Sequence, residues 1–176
     1  FIFATTEPNK MLKTLIQRLK TITFCRYTNK EIGKIILIKD LDVTIAPEIL
    51  DEMARTCRKS PRIAADLVDE LNRYASGEGI KHFDRTEWDD FMAEMDIKQY
   101  GVDNNELELL RVLNERGECS LGELASALCM TSASVQKGVE DYLLNMRMME
   151  IDGKRHITTF GRKALKEIED SLLASA

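Results

Sequence analysis

Apolar residues recur at helical spacing along most of this chain, and only a few short stretches read as extended. It opens on Phe1-Ile2-Phe3-Ala4, which predicts a strand over residues 1–6 running into the polar turn Thr6-Glu7-Pro8-Asn9. A helix is expected over 10–20 and a short strand through Ile22, Phe24 and Arg26. Thr28 and Glu31 have the spacing of a capping box, in which the two side chains satisfy free N–H groups where a helix begins. That places a helix over 29–39. Pro47 suits the first turn of a helix over 47–55, because proline's missing N–H is no loss there. Pro61 opens a longer helix whose Ile63, Leu67, Val68, Leu71 and Tyr74 form one apolar stripe, ending at Ser76-Gly77-Glu78-Gly79. After an extended piece over 80–83, Asp84 and Glu87 repeat the capping spacing and start a helix carrying Trp88, Phe91, Met92 and Met95 on one face.

Tyr100-Gly101-Val102-Asp103-Asn104 reads as a hinge, and beyond it the pattern changes. A helix over 105–116 stops at Gly117. Ser120 and Glu123 form a third capping pair before Leu124, Ala125 and Leu128, and a second helix over 132–145 follows the turn Cys129-Met130-Thr131. Residues 148–151 and 155–158 flank Asp152-Gly153, a dipeptide that favours the positive φ of a tight hairpin turn. Two helices joined by a turn and followed by a hairpin predict a winged helix. The expected fold is therefore mainly α, in three parts: an α/β remnant (1–27), a helical domain (28–99) and a winged-helix domain with a hairpin wing (100–176).

The chain is 176 residues long with 44% apolar side chains, enough for one good core or two small ones. Its net charge of −5 is unevenly spread. Cations exceed acids by five over 1–40, while acids exceed cations by six over 41–100 and by four over 101–176. A nucleic-acid surface must therefore be argued from local patches. Cys25, Cys57, Cys119 and Cys129 form no CxxC pair and have no histidine at ligand spacing, so no metal site is expected and the thiols read as buried and reduced. That usage, with no apolar run long enough to span a bilayer, leads us to expect a cytoplasmic protein without membrane attachment.

Ala4-Thr5-Thr6-Glu7-Pro8-Asn9-Lys10 followed by Leu15-Ile16-Gln17-Arg18 resembles the sensor-1 strand and arginine-finger helix of AAA+ ATPases, in the clamp-loader and RuvB branch. Ser60-Pro61-Arg62-Ile63-Ala64 resembles the sensor-2 stretch of the RuvB family, and Asp141-Tyr142-Leu143-Leu144 with Ile157-Thr158-Thr159 resembles its terminal domain. The resemblance implies that residues 1–27 end an AAA+ core and residues 28–99 are its lid. It implies Thr6 as sensor 1, Arg18 as a finger acting on a neighbouring subunit's ATP, and Arg62 as a nucleotide-sensing arginine. It also implies a parent enzyme that uses ATP and Mg, an ATP-dependent DNA helicase working as a homo-oligomeric ring, a hexamer, on double-stranded DNA at a Holliday junction with a RuvA-like partner. With no glycine-rich phosphate loop after Phe1, this piece reads as a C-terminal fragment expected to be inactive alone and to bind no cofactor by itself. A turn threonine and two solvated arginines remain the plain alternatives for Thr6, Arg18 and Arg62. A clamp-loader-like or non-hydrolysing DNA-binding scaffold is the competing function; a winged-helix regulator is a third.

The residues speak to DNA more directly. Glu140 and Asp141 on the second helix of the helix-turn-helix should repel phosphate, which makes that helix a poor reader of bases. Between 147 and 166, Arg147, Lys154, Arg155, Arg162, Lys163 and Lys166 face only Glu150 and Asp152. Such cations on a wing hold phosphates without selecting sequence. Lys154, Arg155, His156, Arg162 and Lys163 are the expected DNA contacts, against the plain reading of a solvated charge run.

Overall fold

The computed structural model describes residues 2–5, 7–39 and 41–174. Its first part departs from expectation. Residues 2–5 and 7 form no strand, and the expected helix over 10–20 shrinks to a 3-10 turn at Pro8–Lys10 and one helical turn, α1 (Lys13–Ile16). No short strand forms through Ile22 to Arg26. A strand satisfies its N–H and C=O groups only beside another strand, and those of an α/β core are covered on both faces. No such neighbour lies among the described residues, and Ile2, Ile22 and Phe24 are exposed.

From Thr28 onward local signals and tertiary packing agree. α2 (Asn29–Ile38) starts at a complete capping box: Glu31 N–H donates to the Thr28 hydroxyl, and Thr28 N–H donates to the Glu31 carboxylate. β1 (Thr44–Ile45) leads into α3 (Pro47–Thr56), with proline in its first turn. α4 (Pro61–Glu78) continues through Gly77 and ends at Gly79, whose φ of 71° is the left-handed geometry that glycine adopts without a Cβ clash. β2 (His82–Phe83) pairs in parallel with β1, and α5 (Arg85–Glu94) begins at the Asp84/Glu87 box. Ile32, Ile36, Ile49, Met53, Leu71, Phe83, Trp88 and Phe91 build one apolar core from these helices.

A 3-10 turn at Gln99–Gly101 connects to α6 (Asn104–Arg116), whose capping box joins Asp103 and Glu106. β3 (Glu118–Cys119) and α7 (Leu121–Ala127), capped by Ser120 and Glu123, follow. The next helix is continuous but irregular: α8 (Ser132–Ser134), a π-helical segment Val135–Glu140, then α9 (Asp141–Asn145). β4 (Met149–Asp152) and β5 (Lys154–Ile157) form the hairpin, with Gly153 at φ 68° between them. β3 adds to β5 in the order β3-β5-β4, all antiparallel. α10 (Thr159–Ala174) closes a winged helix over a second core that includes Leu109, Leu110, Leu113, Leu124, Leu143, Met148 and Ile168. α10 lies so close to the hairpin base that a Cβ on Gly161 would meet the Met148 carbonyl oxygen at 1.9 Å.

Two of the four cysteines correct the expectation of buried thiols. Cys57 and Cys119 are buried, and burial pushes the Cys57 thiol up to about 12. Cys25 and Cys129 are exposed.

Candidate nucleic-acid interface

The wing is built by hydrogen bonds at its base. Thr158 accepts a bond from Gly161 N–H at 2.9 Å, so it caps α10, and its hydroxyl lies 2.7 Å from the Arg147 carbonyl. That fixes the start of α10 against the chain entering β4. Arg147, at φ 57°, Lys154 at the hairpin tip, and Arg162 and Lys163 on the first turn of α10 are all exposed. Arg162 and Lys163 therefore belong to a helix beside the wing rather than to the wing itself. Lys163 has a neighbour, Glu167, at 3.6 Å, a solvated pair that leaves the ammonium available. His156, half-buried on β5, faces Glu150 across the hairpin at 3.7 Å.

Arg155 is placed differently from its expected role. Its Nε donates to Glu140 Oε1 at 2.8 Å and an Nη to Oε2 at 3.4 Å, and the two side chains are only 11% and 2% exposed. The pair ties the wing to the helix of residues 132–145. It also corrects the reading of Glu140 as a source of repulsion toward phosphate, because that carboxylate is buried and met by a guanidinium. Asp141 stays exposed, with Arg26 at 3.9 Å. Ser132, Gln136 and Lys137 present the solvent side of the same helix.

The expected nucleotide residues fall elsewhere. Thr6 lies outside the described residues. Arg18 is exposed in the turn after α1, and Arg62 is exposed in the first turn of α4, where Ser60 accepts from Ile63 N–H at 3.4 Å. Neither arginine has an ion-pair partner among the described residues. No group of three or more His, Cys, Asp or Glu could hold a metal among them either.

A third cluster went unread in the sequence. Arg58 donates to both carboxylate oxygens of Glu106, at 3.1 and 2.6 Å, and to the Gly101 carbonyl at 3.2 Å; its guanidinium carbon lies 3.7 Å from the centre of the Tyr142 ring. Glu106 is fully buried, and burial raises its pKa against the pull of the Asp103 N–H and Arg58. The Asp103/Glu106 spacing was the available signal.

Residues 99–166 match the RuvB C-terminal winged helix domain family. The Holliday junction branch migration complex subunit RuvB of Treponema pallidum (strain Nichols) is 27% identical over 155 residues, covering 85% of this chain and 44% of that protein. The subunit of the same name from Chloroflexus aurantiacus is 29% identical over 122 residues, or 68% of this chain and 35% of that one. The chain thus spans less than half the length of these relatives. Among solved structures, the Thermotoga maritima RuvB Holliday junction branch migration motor superposes with a TM-score of 0.66 at 24% identity, over 81% of this chain and 50% of that one; this likeness speaks to fold alone. Along most of its length the chain is similar to RuvB proteins, and its residues 99–166 match the RuvB C-terminal winged helix domain family.

Proposed function

We propose that this chain is the C-terminal part of a RuvB-like ATP-driven motor that moves Holliday junctions, with the winged helix gripping duplex phosphates. The observation that carries the reading is the exposed cationic group Arg147, Lys154, Arg162 and Lys163, gathered around the hairpin of a domain matched to RuvB. Cations on a hairpin tip and a helix end suit backbone contacts, which hold DNA of any sequence, as a translocating motor requires. His156 adds to this face at its edge. Arg155 acts through Glu140, holding the wing in place, so it supports Lys154 rather than touching DNA itself. The clamp-loader-like scaffold is disfavoured by the matched winged helix.

For nucleotide, the described residues offer cations and no metal cluster. ATP with Mg supplies the phosphoryl transfer that drives such motors; the arginines' part is to meet phosphate charge. Arg62 at the start of α4 would face the γ-phosphate within its own subunit, and Arg18 that of a neighbour in a homo-oligomeric ring, with Thr6 orienting water in the first site. Alone, the 176-residue chain should not turn over ATP. Its partners in this reading are duplex DNA at a Holliday junction and, as the relatives' designation as complex subunits suggests, a RuvA-like protein.

The test is salt-dependent duplex binding. Lys154→Glu with Lys163→Glu should weaken binding equally on unrelated sequences and flatten log K against log salt by roughly 0.9 per lost phosphate contact. An unchanged slope would move the DNA path away from the wing.

A further inference from the structure

The turn between α3 and α4 places two consecutive non-glycine residues in left-handed geometry, Arg58 at φ 55° and Lys59 at φ 56°. Side-chain-bearing residues adopt that region only where surrounding structure enforces it. The enforcement comes from the winged helix. Arg58 is seated by Glu106 at the start of α6, by the Gly101 carbonyl and by the face of Tyr142 on α9. Gly101 packs against the same segment so tightly that a Cβ there would lie 2.2 Å from the Thr56 carbonyl oxygen. The network continues beyond Arg58: the Tyr142 hydroxyl donates to the Tyr100 carbonyl, and the Tyr100 hydroxyl donates to Glu167 on α10, the helix that carries Arg162 and Lys163. In the other direction, Lys59 leads to Ser60, the cap of α4, and then to Arg62.

We propose that Arg58 is a positioning residue that couples the DNA-facing helix α10, through α9, to the nucleotide-facing arginine Arg62. The proposal rests on the functional reading above, which assigns those two faces. Coupling needs an element with two arrangements whose balance both sites bias. The strained turn at residues 58–59 is that element: while Arg58 is seated, the turn is held and Arg62 is presented from a capped helix. A shift of α10 on DNA, passed on to α9, moves the Tyr142 and Glu106 seat, so that the turn follows or relaxes and Arg62 with it. The guanidinium suits this task because its planar fork grips a carboxylate and stacks on a ring at once.

The experiment measures linkage in the full-length protein, as the affinity for a duplex of random sequence with and without a non-hydrolysable ATP analogue. Nucleotide should change duplex affinity by a factor, and about 5- to 150-fold is ordinary for linked sites. Arg58→Ala combined with Glu106→Gln removes the ion pair without stranding a buried charge. Tyr142→Leu removes the ring. Both should bring the factor to within about two-fold of one, while leaving the affinity for duplex alone within about two-fold, so that linkage is lost without loss of the DNA site. Tyr142→Phe, which keeps the ring under Arg58 and drops only the hydroxyl bond to the Tyr100 carbonyl, should retain part of the factor. The relay is overturned if the wild type binds both ligands without linkage, if both disruptive variants keep the wild-type factor, or if Tyr142→Phe loses as much as Tyr142→Leu. A wild type that binds neither ligand overturns the functional reading and takes the relay with it.

Discussion

The segment before Thr28 and the winged helix contain the same kinds of residue and treat them in opposite ways. Ile2, Leu12, Ile22 and Phe24 stand exposed, whereas Leu109, Leu110, Leu113 and Leu124 are wholly buried. Helix starts differ as well. α1 follows Leu12, which offers no side-chain cap, while α2, α5, α6 and α7 each begin at a reciprocal capping pair. Apolar content therefore does not make a core. A second layer to pack against does, and local signals hold only where that layer is present.

Core truncation should separate the two regions most. Leu113→Ala should cost about 2–5 kcal/mol in urea unfolding, because the surroundings fill its cavity only in part. Phe24→Ala should change stability by less than about 0.5 kcal/mol, as an exposed substitution. Comparable losses would mean that the first segment packs against the rest. Gly161→Ala should come next, at about 1–3 kcal/mol, since the added methyl meets the Met148 backbone rather than a yielding side chain. An unchanged melting temperature would show that α10 can stand off from the hairpin.

Thiol labelling sharpens the same contrast by rate. Cys25 and Cys129 should react quickly with a disulfide reagent at neutral pH, and Cys57 and Cys119 only on unfolding, because burial raises both of their pKa values and shields the sulfur. Fast modification of three or four thiols would contradict it. Acid gives the smallest effect. The backbone N–H of Thr28 holds Glu31, and the Ser120 side chain holds Glu123, below the ordinary 4.5. A carboxyl lowered in the folded state adds stability above its ordinary value and loses it as pH falls through the lowered one. The urea midpoint should therefore drop on acidification from about pH 5 to about pH 3, and Glu31→Gln with Glu123→Gln should flatten that drop. A wild-type midpoint that held steady would show that the caps titrate alike in both states.

What the sequence revealed follows from the range of each interaction. Thr28 with Glu31, Asp84 with Glu87 and Ser120 with Glu123 are three residues apart, so their chemistry is written in neighbouring letters. The hairpin was legible because Asp152-Gly153 carries its own backbone preference. Of the strand expected over 1–6, the described residues 2–5 are not extended into a sheet, because a strand depends on partners its own residues do not name. Arg155 with Glu140 and Arg58 with Glu106 join residues 15 and 48 positions apart, so composition counted four charges where the fold makes two ion pairs. The π-helical segment ending at Glu140 is equally silent in the sequence. Arg162 and Lys163 are legible as cations, but they stand on α10 rather than on the wing, because a cation's letter carries no sign of the element that presents it.

Among the described residues, the sheet order β3-β5-β4 leaves β4 with one side unpaired. An open strand edge is a template on which another copy of the chain can add, the first step toward insoluble aggregate. β4 has only four residues and carries the exposed carboxylates Glu150 and Asp152. Those two charges, which weaken the local field for phosphate, act in a different respect as guards. On a hairpin that protrudes into solvent they oppose the pairing of one copy's edge with another's, so the acids and the basic tip beside them would answer to separate demands: keeping copies of the chain apart and, in the proposed function, holding DNA.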